Sequence, residues 1–395
     1  MASANDSSSV SETEVKYESD AELAAVPLFP NYSDSLLCFA SVICIIYMVF
    51  GIPANLTTIL ALVRCKKLWN ATAVFIINLH ITDVLFGILI LPLSAMTFAQ
   101  RHWIYGIVMC RVYALLKYGL NAVSIFTILA ITINRYVLVC HPLLYPKIYK
   151  TRNLSIMLLA IWISAFALFL LPTFGLYGQF KLEPGGGFCT MLRDINNRSP
   201  KTFMLCFAFA LPYIIIVLCY TRVWWIVRKT AKKSIVSMPT THLPISDAQP
   251  NYSGNKKQYV SFEKSNLSSS TTEEATACII TPTEEREGTI TKIFKAPFRA
   301  TKKEVRSKLP TRRDKKLRTV IAAIMLSFCL THMPIMITRI AYRNTKLDPT
   351  ANVIAHMLEY FASFLNPMIY GFMSREYRKA YKNLFESTLN KILKR

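Results

Sequence analysis

Apolar residues in this chain come in long runs parted by shorter polar stretches. Seven runs stand out: Leu36–Val63, Ala71–Phe98, Val108–Val139, Asn153–Tyr177, Phe203–Val227, Leu317–Tyr342 and Ala351–Met373. A helix needs about 20 apolar residues to cross a bilayer core of roughly 30 Å, and each run is long enough. Pro and Gly fall inside several of them, which membrane helices tolerate. The pattern predicts an all-α bundle of seven transmembrane helices. Around it lie an N-terminal tail over 1–34, helices one to five over 35–228, a polar loop over 229–313, helices six and seven over 314–373, and a tail over 374–395.

Composition agrees. Of 395 residues, 53% are hydrophobic and 17% charged, against about 25% charged in a soluble domain. The net charge of +23 raises the question of nucleic acid, but its distribution excludes that reading. The first 34 residues hold seven acids and only Lys16, whereas Lys and Arg gather in alternate loops: Arg64 to Lys67, Lys147 to Arg152, Arg228 to Lys316 and Arg375 to Arg395. This is the positive-inside pattern, with the N-terminus outside and the C-terminus in the cytoplasm. The basic tails then lie against anionic membrane lipids. The first 25 residues have no apolar core, so no cleavable signal peptide is expected. Sequons at Asn5, Asn31 and Asn197 face outward and can carry glycans.

Ten cysteines are present, most of them inside apolar runs. Cys110 and Cys189 differ, because both fall in outward-facing positions where a disulfide forms and persists. The stretch "SNLSSSTTEEATA" is polar and low in complexity, so the loop around it is expected to be disordered.

Ionisable and polar groups within the runs need a physical reason. Asp83, Ser124, Ser363 and Asn366 fall at similar depth, an oxygen-rich set that suits a small hard cation such as sodium. A hydrogen-bonded network without an ion is the equal alternative. Pro334 and Pro367 interrupt runs six and seven, and Pro53 and Pro212 do the same in runs one and five. Run three ends in "AITINRYVLVCHP", an arginine closing an apolar segment.

These residues together resemble a known family. Asn55, Asp83 in "NLHITD", Trp103 ahead of Cys110, "NRY" at 134–136, Trp162, Pro212, Tyr220, Phe328, Pro334 and "NPMIY" at 366–370 occur in order, one set per run. The chain resembles a rhodopsin-like, class A G-protein-coupled receptor, and within that family the arthropod orphan receptors called trapped in endoderm and moody, which act in cell migration and barrier formation. The resemblance implies a plasma-membrane receptor, not an enzyme. It implies an outer ligand pocket and an inner cleft for a heterotrimeric G protein, with arrestin and a receptor kinase as further partners. A multi-pass transporter or channel is the alternative, but no repeat symmetry supports it. No organic cofactor is expected, and a retinal Schiff base is disfavoured because run seven has no lysine.

Within that frame, ligand-binding candidates are Lys117, Asn121, His332, Arg339, His356 and Glu359. Lys117 lies seven residues past Cys110, about 10 Å along the helix. Two readings stay open: Lys117 and Arg339 bind an anionic or lipid ligand, or Lys117 pairs with Glu359 as a lock. His332 stands where the family usually has tryptophan. Coupling candidates are Asn134, Arg135, Tyr136, Pro142, Tyr220, Phe328, Pro334, Pro367 and Tyr370. Asn134 replaces the family's aspartate, so the arginine loses its local carboxylate. Asp314, about 30 Å along helix six from Pro334, is the candidate substitute partner, and a solvated Asp among its Lys and Arg neighbours is the equal alternative. The segment "SREYRKAYKNLFESTL" predicts a short amphipathic helix, with Phe372, Tyr377, Ala380, Tyr381 and Leu384 on one side.

Overall fold

The structure is a computed structural model and describes residues 17–65, 69–194, 196, 198, 200–236, 312–341 and 348–393. Asn5, Asn197 and most of the 229–313 loop lie outside the described residues. Among the described residues the helices are α1 (Asp20–Ala25), α2 (Asp34–Arg64), α3 (Ala71–Leu89), α4 (Leu91–Gln100), α5 (Gly106–Cys140), α6 (Tyr145–Ile148), α7 (Thr151–Thr173), α8 (Lys201–Met204), α9 (Leu211–Val236), α10 (Arg312–Ala341), α11 (Pro349–Met373) and α12 (Arg375–Leu393). A hairpin of β1 (Gln179–Glu183) and β2 (Phe188–Leu192) lies between α7 and α8.

The long helices start where side chains can serve the open backbone N–H groups. Ser33 caps α2, Asn70 caps α3 and Asp348 caps α11, the last accepting from the Ala351 amide at 2.7 Å. Prolines set the breaks. Run two divides at Ile90, with Pro92 in the first turn of α4. Pro212 has no N–H for the Ala208 carbonyl, and a six-residue π-helical segment, Leu205–Ala210, bridges α8 and α9. Run four ends at Thr173 rather than Tyr177, where Gly175 turns the chain at φ +70. α9 reaches Val236 and α10 begins at Arg312, so the polar loop is shorter at both ends than 229–313. The backbone ladder of each helix continues past its apolar run into Lys- and Arg-rich sequence.

Large apolar side chains line the outside of the bundle: Phe39, Val49 and Phe50 on α2, Ile156, Leu159 and Ile163 on α7, and Leu218 and Leu330 on α9 and α10, all exposed. So broad an apolar surface suits hydrocarbon rather than water. Among the described residues, five spans pass on length and apolarity alone. α10 holds a further apolar stretch over Ala322–Thr338, and α11 reads less apolar because it carries His356, Glu359 and Asn366.

The interior is tied by polar side chains. Trp162 on α7 donates to Asn78 Oδ1 at 2.9 Å, and Asn78 Nδ2 donates to Thr127 on α5 at 2.8 Å. Asn55 on α2 donates to the Ser363 carbonyl of α11 at 3.0 Å. Its Oδ1 therefore accepts from His80 Nδ1 on α3, 2.6 Å away.

Two ends can be distinguished by their residues. At one, the Cys110–Cys189 disulfide fixes β2 to α5. The segment from Tyr17 to Tyr32 folds back over this end as a roof that the apolar pattern did not predict. Asp20 accepts from the Ile107 amide at the start of α5 at 2.8 Å, and the Leu182 amide donates to Tyr17 at 3.1 Å. Phe29 is 3% exposed and stacks on Phe98 at 5.2 Å and edge-on to Phe188 at 5.7 Å. Gly187, at φ +76, leaves room for the Phe29 ring that a side chain would fill. Asn31 is exposed on this roof, also at positive φ. At the other end α12 packs under the bundle, longer than a short helix. Tyr377, Ala380 and Leu384 are buried and Tyr381 meets Thr58 at 2.9 Å. Phe372 does not share that face; it lies in the last turn of α11 and is 74% exposed.

Emptying the Phe29 slot should loosen the roof. Phe29→Ala is expected to cost about 3 kcal/mol, read as a lower Tm of the purified protein, while Phe372→Ala should leave Tm unchanged.

Candidate functional site

Below the roof, α5 and α11 bring four polar side chains together. Lys117 Nζ lies 3.3 Å from Glu359 Oε2 and 3.3 Å from His356 Nδ1. Asn121, one turn further along α5, donates to Glu359 Oε1 at 2.8 Å. The i, i+3 spacing puts His356 and Glu359 on one face of α11, with 3.4 Å between His356 Nδ1 and Glu359 Oε2. Lys117 and Glu359 are 2% and 5% exposed. The ammonium sits against aromatic faces, 5.4 Å from the Phe188 centroid and 5.3 Å from that of Tyr360. Tyr360 in turn shares the Ser94 hydroxyl with Tyr113, at 3.2 and 2.9 Å.

Among the described residues no hydrogen bond joins His332 to this cluster, although it lies near enough to Glu359 to feel its charge. His332 is buried on α10, stacks on Phe328 with centroids 3.8 Å apart, and has Nδ1 3.1 Å from the Phe328 carbonyl. A ring nitrogen beside a backbone carbonyl is satisfied within its own helix. Arg339 falls in α10, and its side chain is outside the description.

At mid-depth Asn366 donates to Asp83 Oδ2 at 2.8 Å, and Ser363 hydrogen-bonds the same carboxyl. Among the described residues no hydrogen bond joins Ser124 to this trio, although it lies part-buried on α5. Pro334 and Pro367 both lie inside their helices, α10 and α11.

At the far end Arg135 is 7% exposed and donates to the Thr72 hydroxyl of α3 at 2.6 Å. That hydroxyl donates onward to Asn134 Oδ1 at 2.8 Å. One threonine thus receives the arginine and hands its own proton to the asparagine. Asn134 Nδ2 then donates to Tyr145 of α6 at 3.4 Å. Burial pushes the neighbouring Tyr149 hydroxyl up to about 12, so it stays protonated and can only offer or accept a hydrogen bond. Tyr136 turns away to an edge contact with His141 at 5.6 Å. Pro142 and Leu143 are exposed beside α6. Tyr370 is buried against Tyr377 at 4.9 Å, and Tyr220 is partly buried on α9. Asp314 lies in the first turn of α10, its side chain outside the description.

The fold and these contacts can be set against known proteins. The sequence profile of the 7 transmembrane receptor (rhodopsin family) matches residues 54–370. The chain belongs to that family. It is a receptor, and the family's members are not enzymes. The resemblance to moody and trapped in endoderm is borne out. The G-protein coupled receptor moody of Drosophila melanogaster is 32% identical over 90% of this chain and 52% of its own length. Protein trapped in endoderm-1, also from Drosophila melanogaster, is 28% identical over 90% of this chain and 79% of its own. The receptor thus spans about half the length of moody, at 52%. The crystal structure of squid rhodopsin superimposes with a TM-score of 0.66 at 21% identity, covering 91% of this chain and 88% of that one. That likeness is one of fold.

The sequence reading did not single out Thr72, His80, Phe29 or Phe188. The signal for Thr72 is its place one residue past the "N-A" cap of α3, at the same end as Arg135. Nothing in the pattern foretold the roof.

Two outcomes follow. Removing one partner of the buried pair, by Lys117→Met or Glu359→Gln, should cost about 3 kcal/mol, and the double variant should recover most of that in a double-mutant cycle. Thr72→Val should release Arg135 and raise basal nucleotide exchange about 3-fold, equivalent to roughly 0.7 kcal/mol of bias; basal exchange at the wild-type level would show that Thr72 holds nothing back.

Proposed function

We propose that this receptor lies in the plasma membrane with its N-terminus outside, answers an extracellular ligand at the Lys117–Glu359 level, and activates a heterotrimeric G protein at the Arg135 end. The observation that carries the reading is the Arg135–Thr72–Asn134 relay beside exposed Pro142 and Leu143. Thr72 ties the arginine to α3 through a hydroxyl, and the same hydroxyl ties it to Asn134, so a change in how α3 and α5 pack reaches the arginine directly. The name G-protein coupled receptor borne by moody supports the same partner. Arrestin and a receptor kinase, and a role in cell migration or barrier formation, belong to the same proposal. The ion pair under the roof favours Lys117–Glu359 as a lock over Lys117 as a lone anchor for an anion, because the lysine already has its counter-charge.

Asp83, Ser363 and Asn366 offer carboxylate, hydroxyl and amide oxygens of the kind that hold a hard cation. With Ser124 they would hold sodium, which would add positive charge beside Asp83 and stiffen the contact between α3 and α11.

Nucleotide exchange on purified heterotrimeric G proteins tests the reading. Wild type should accelerate exchange and Arg135→Ala should abolish that. Asn134→Asp, which restores a carboxylate beside Arg135, should lower basal exchange several-fold. Substrate uptake into proteoliposomes without exchange would replace this reading with a transporter.

A further inference from the structure

We propose that the Lys117–Glu359 site takes a zwitterion, a ligand that carries an ammonium and an anionic carboxylate or phosphate group within reach of each other. This rests on the reading of the chain as a ligand-answering receptor. Three observations lead to it.

The first is charge balance. Among the described side chains facing the cluster, Lys117 and Glu359 carry the fixed charges, one of each sign, 3.3 Å apart. Both are almost wholly buried. Charges in such surroundings persist only when paired, and taking away one partner is far more costly than exchanging it. A purely anionic ligand drawn to Lys117 strands Glu359 next to a second negative charge. A purely cationic ligand drawn to Glu359 strands Lys117. A zwitterion takes over both roles at once and leaves no charge unpaired.

The second is the seat of the ammonium. Lys117 Nζ lies between the Phe188 and Tyr360 rings, at 5.4 and 5.3 Å from their centroids, with the Glu359 carboxylate alongside. Two aromatic faces and a carboxylate make the surroundings in which an ammonium is recognised. The lysine side chain fills that seat with its own terminal group. A ligand ammonium fits the same surroundings, and the long flexible lysine can swing to the ligand's anion.

The third is that Glu359 stays aimed when Lys117 leaves. Asn121 holds its other oxygen at 2.8 Å from the opposite helix, so the carboxylate keeps its orientation toward the aromatic faces.

The test uses three probes that share a phenyl ring and differ in charge: phenylalanine, 3-phenylpropanoate and 2-phenylethylammonium. Each is added at millimolar concentration to the purified full-length receptor, and thermal unfolding is followed. Wild type should gain about 3 °C in Tm from phenylalanine and nothing from either single-charge probe. Lys117→Met should respond to phenylethylammonium instead, and Glu359→Gln to phenylpropanoate, because each substitution leaves one buried charge in want of a partner. The reversed pair, Lys117→Glu with Glu359→Lys, keeps both charges. It should again respond to phenylalanine, and it stands in if a single variant does not fold. Single-charge probes that stabilise wild type as much as phenylalanine overturn the proposal. So does rescue of the single variants without any response of wild type, which makes the pair a structural lock that ligands do not open. So does the absence of any response in any protein, which makes the site closed to small ions. Ligand-free nucleotide exchange reads the coupling end separately, so loss of the zwitterion and loss of the G-protein reading give different results.

Discussion

A lysine and a glutamate inside a low-dielectric bundle remain charged only while each has a counter-charge. Much of this molecule is arranged around that constraint. Lys117 comes from α5 and Glu359 from α11, so the pair binds the two helices at one level. Asn121 fixes one carboxylate oxygen, and Phe188 and Tyr360 cover the ammonium. Phe188 is itself placed by the disulfide one residue away at Cys189 and pressed down by Phe29. The roof, the hairpin and two helices, α5 and α11, thus share one electrostatic centre. Displacing any of them weakens the low-dielectric setting that makes the pair strong.

The opposite end solves a different problem. An arginine must be kept inside, yet the residue before it is an amide rather than a carboxylate. The chain brings a hydroxyl from α3 to do the holding. Thr72 can serve because a hydroxyl both donates and accepts: it takes the Arg135 proton on a lone pair and gives its own to Asn134. An aspartate in place of Asn134 would draw the arginine directly and leave the threonine less to do. Thr72 thus ties the arginine to a neighbouring helix, through a contact that depends on how α3 and α5 are packed.

How much of this could be read in advance differs by level. The seven helices were plain, because runs of apolar residues long enough for a bilayer have few other uses. The disulfide followed from two cysteines at outward-facing positions. Lys117 and Glu359 were visible as an open choice, since a buried charge of each sign on adjoining helices invites pairing. The geometry of His332 was not, because a family position suggests a role while only the packed ring shows that it lies on Phe328. Thr72 was marked only by its place just past the α3 cap, a weak signal because threonines are common in membrane helices. Phe29 and the rest of the roof sit in a segment that reads as a polar, acidic tail. Their order comes from long-range contacts: backbone bonds from Leu28 and Phe29 to Arg101 and Pro184, and the Asn352 amide on Tyr32. Contacts between segments so far apart in sequence leave no periodic trace.

That roof also has a bearing on time. A phenylalanine packed in a slot leaves it less often than an exposed loop moves, and Phe29 lies against Phe188, which itself lies over Lys117. Occupancy would then outlast what the strength of the contacts alone would give. If a ligand sits beneath it, the aromatic lid would make the length of a signal, and not only its threshold, a property of the N-terminal segment.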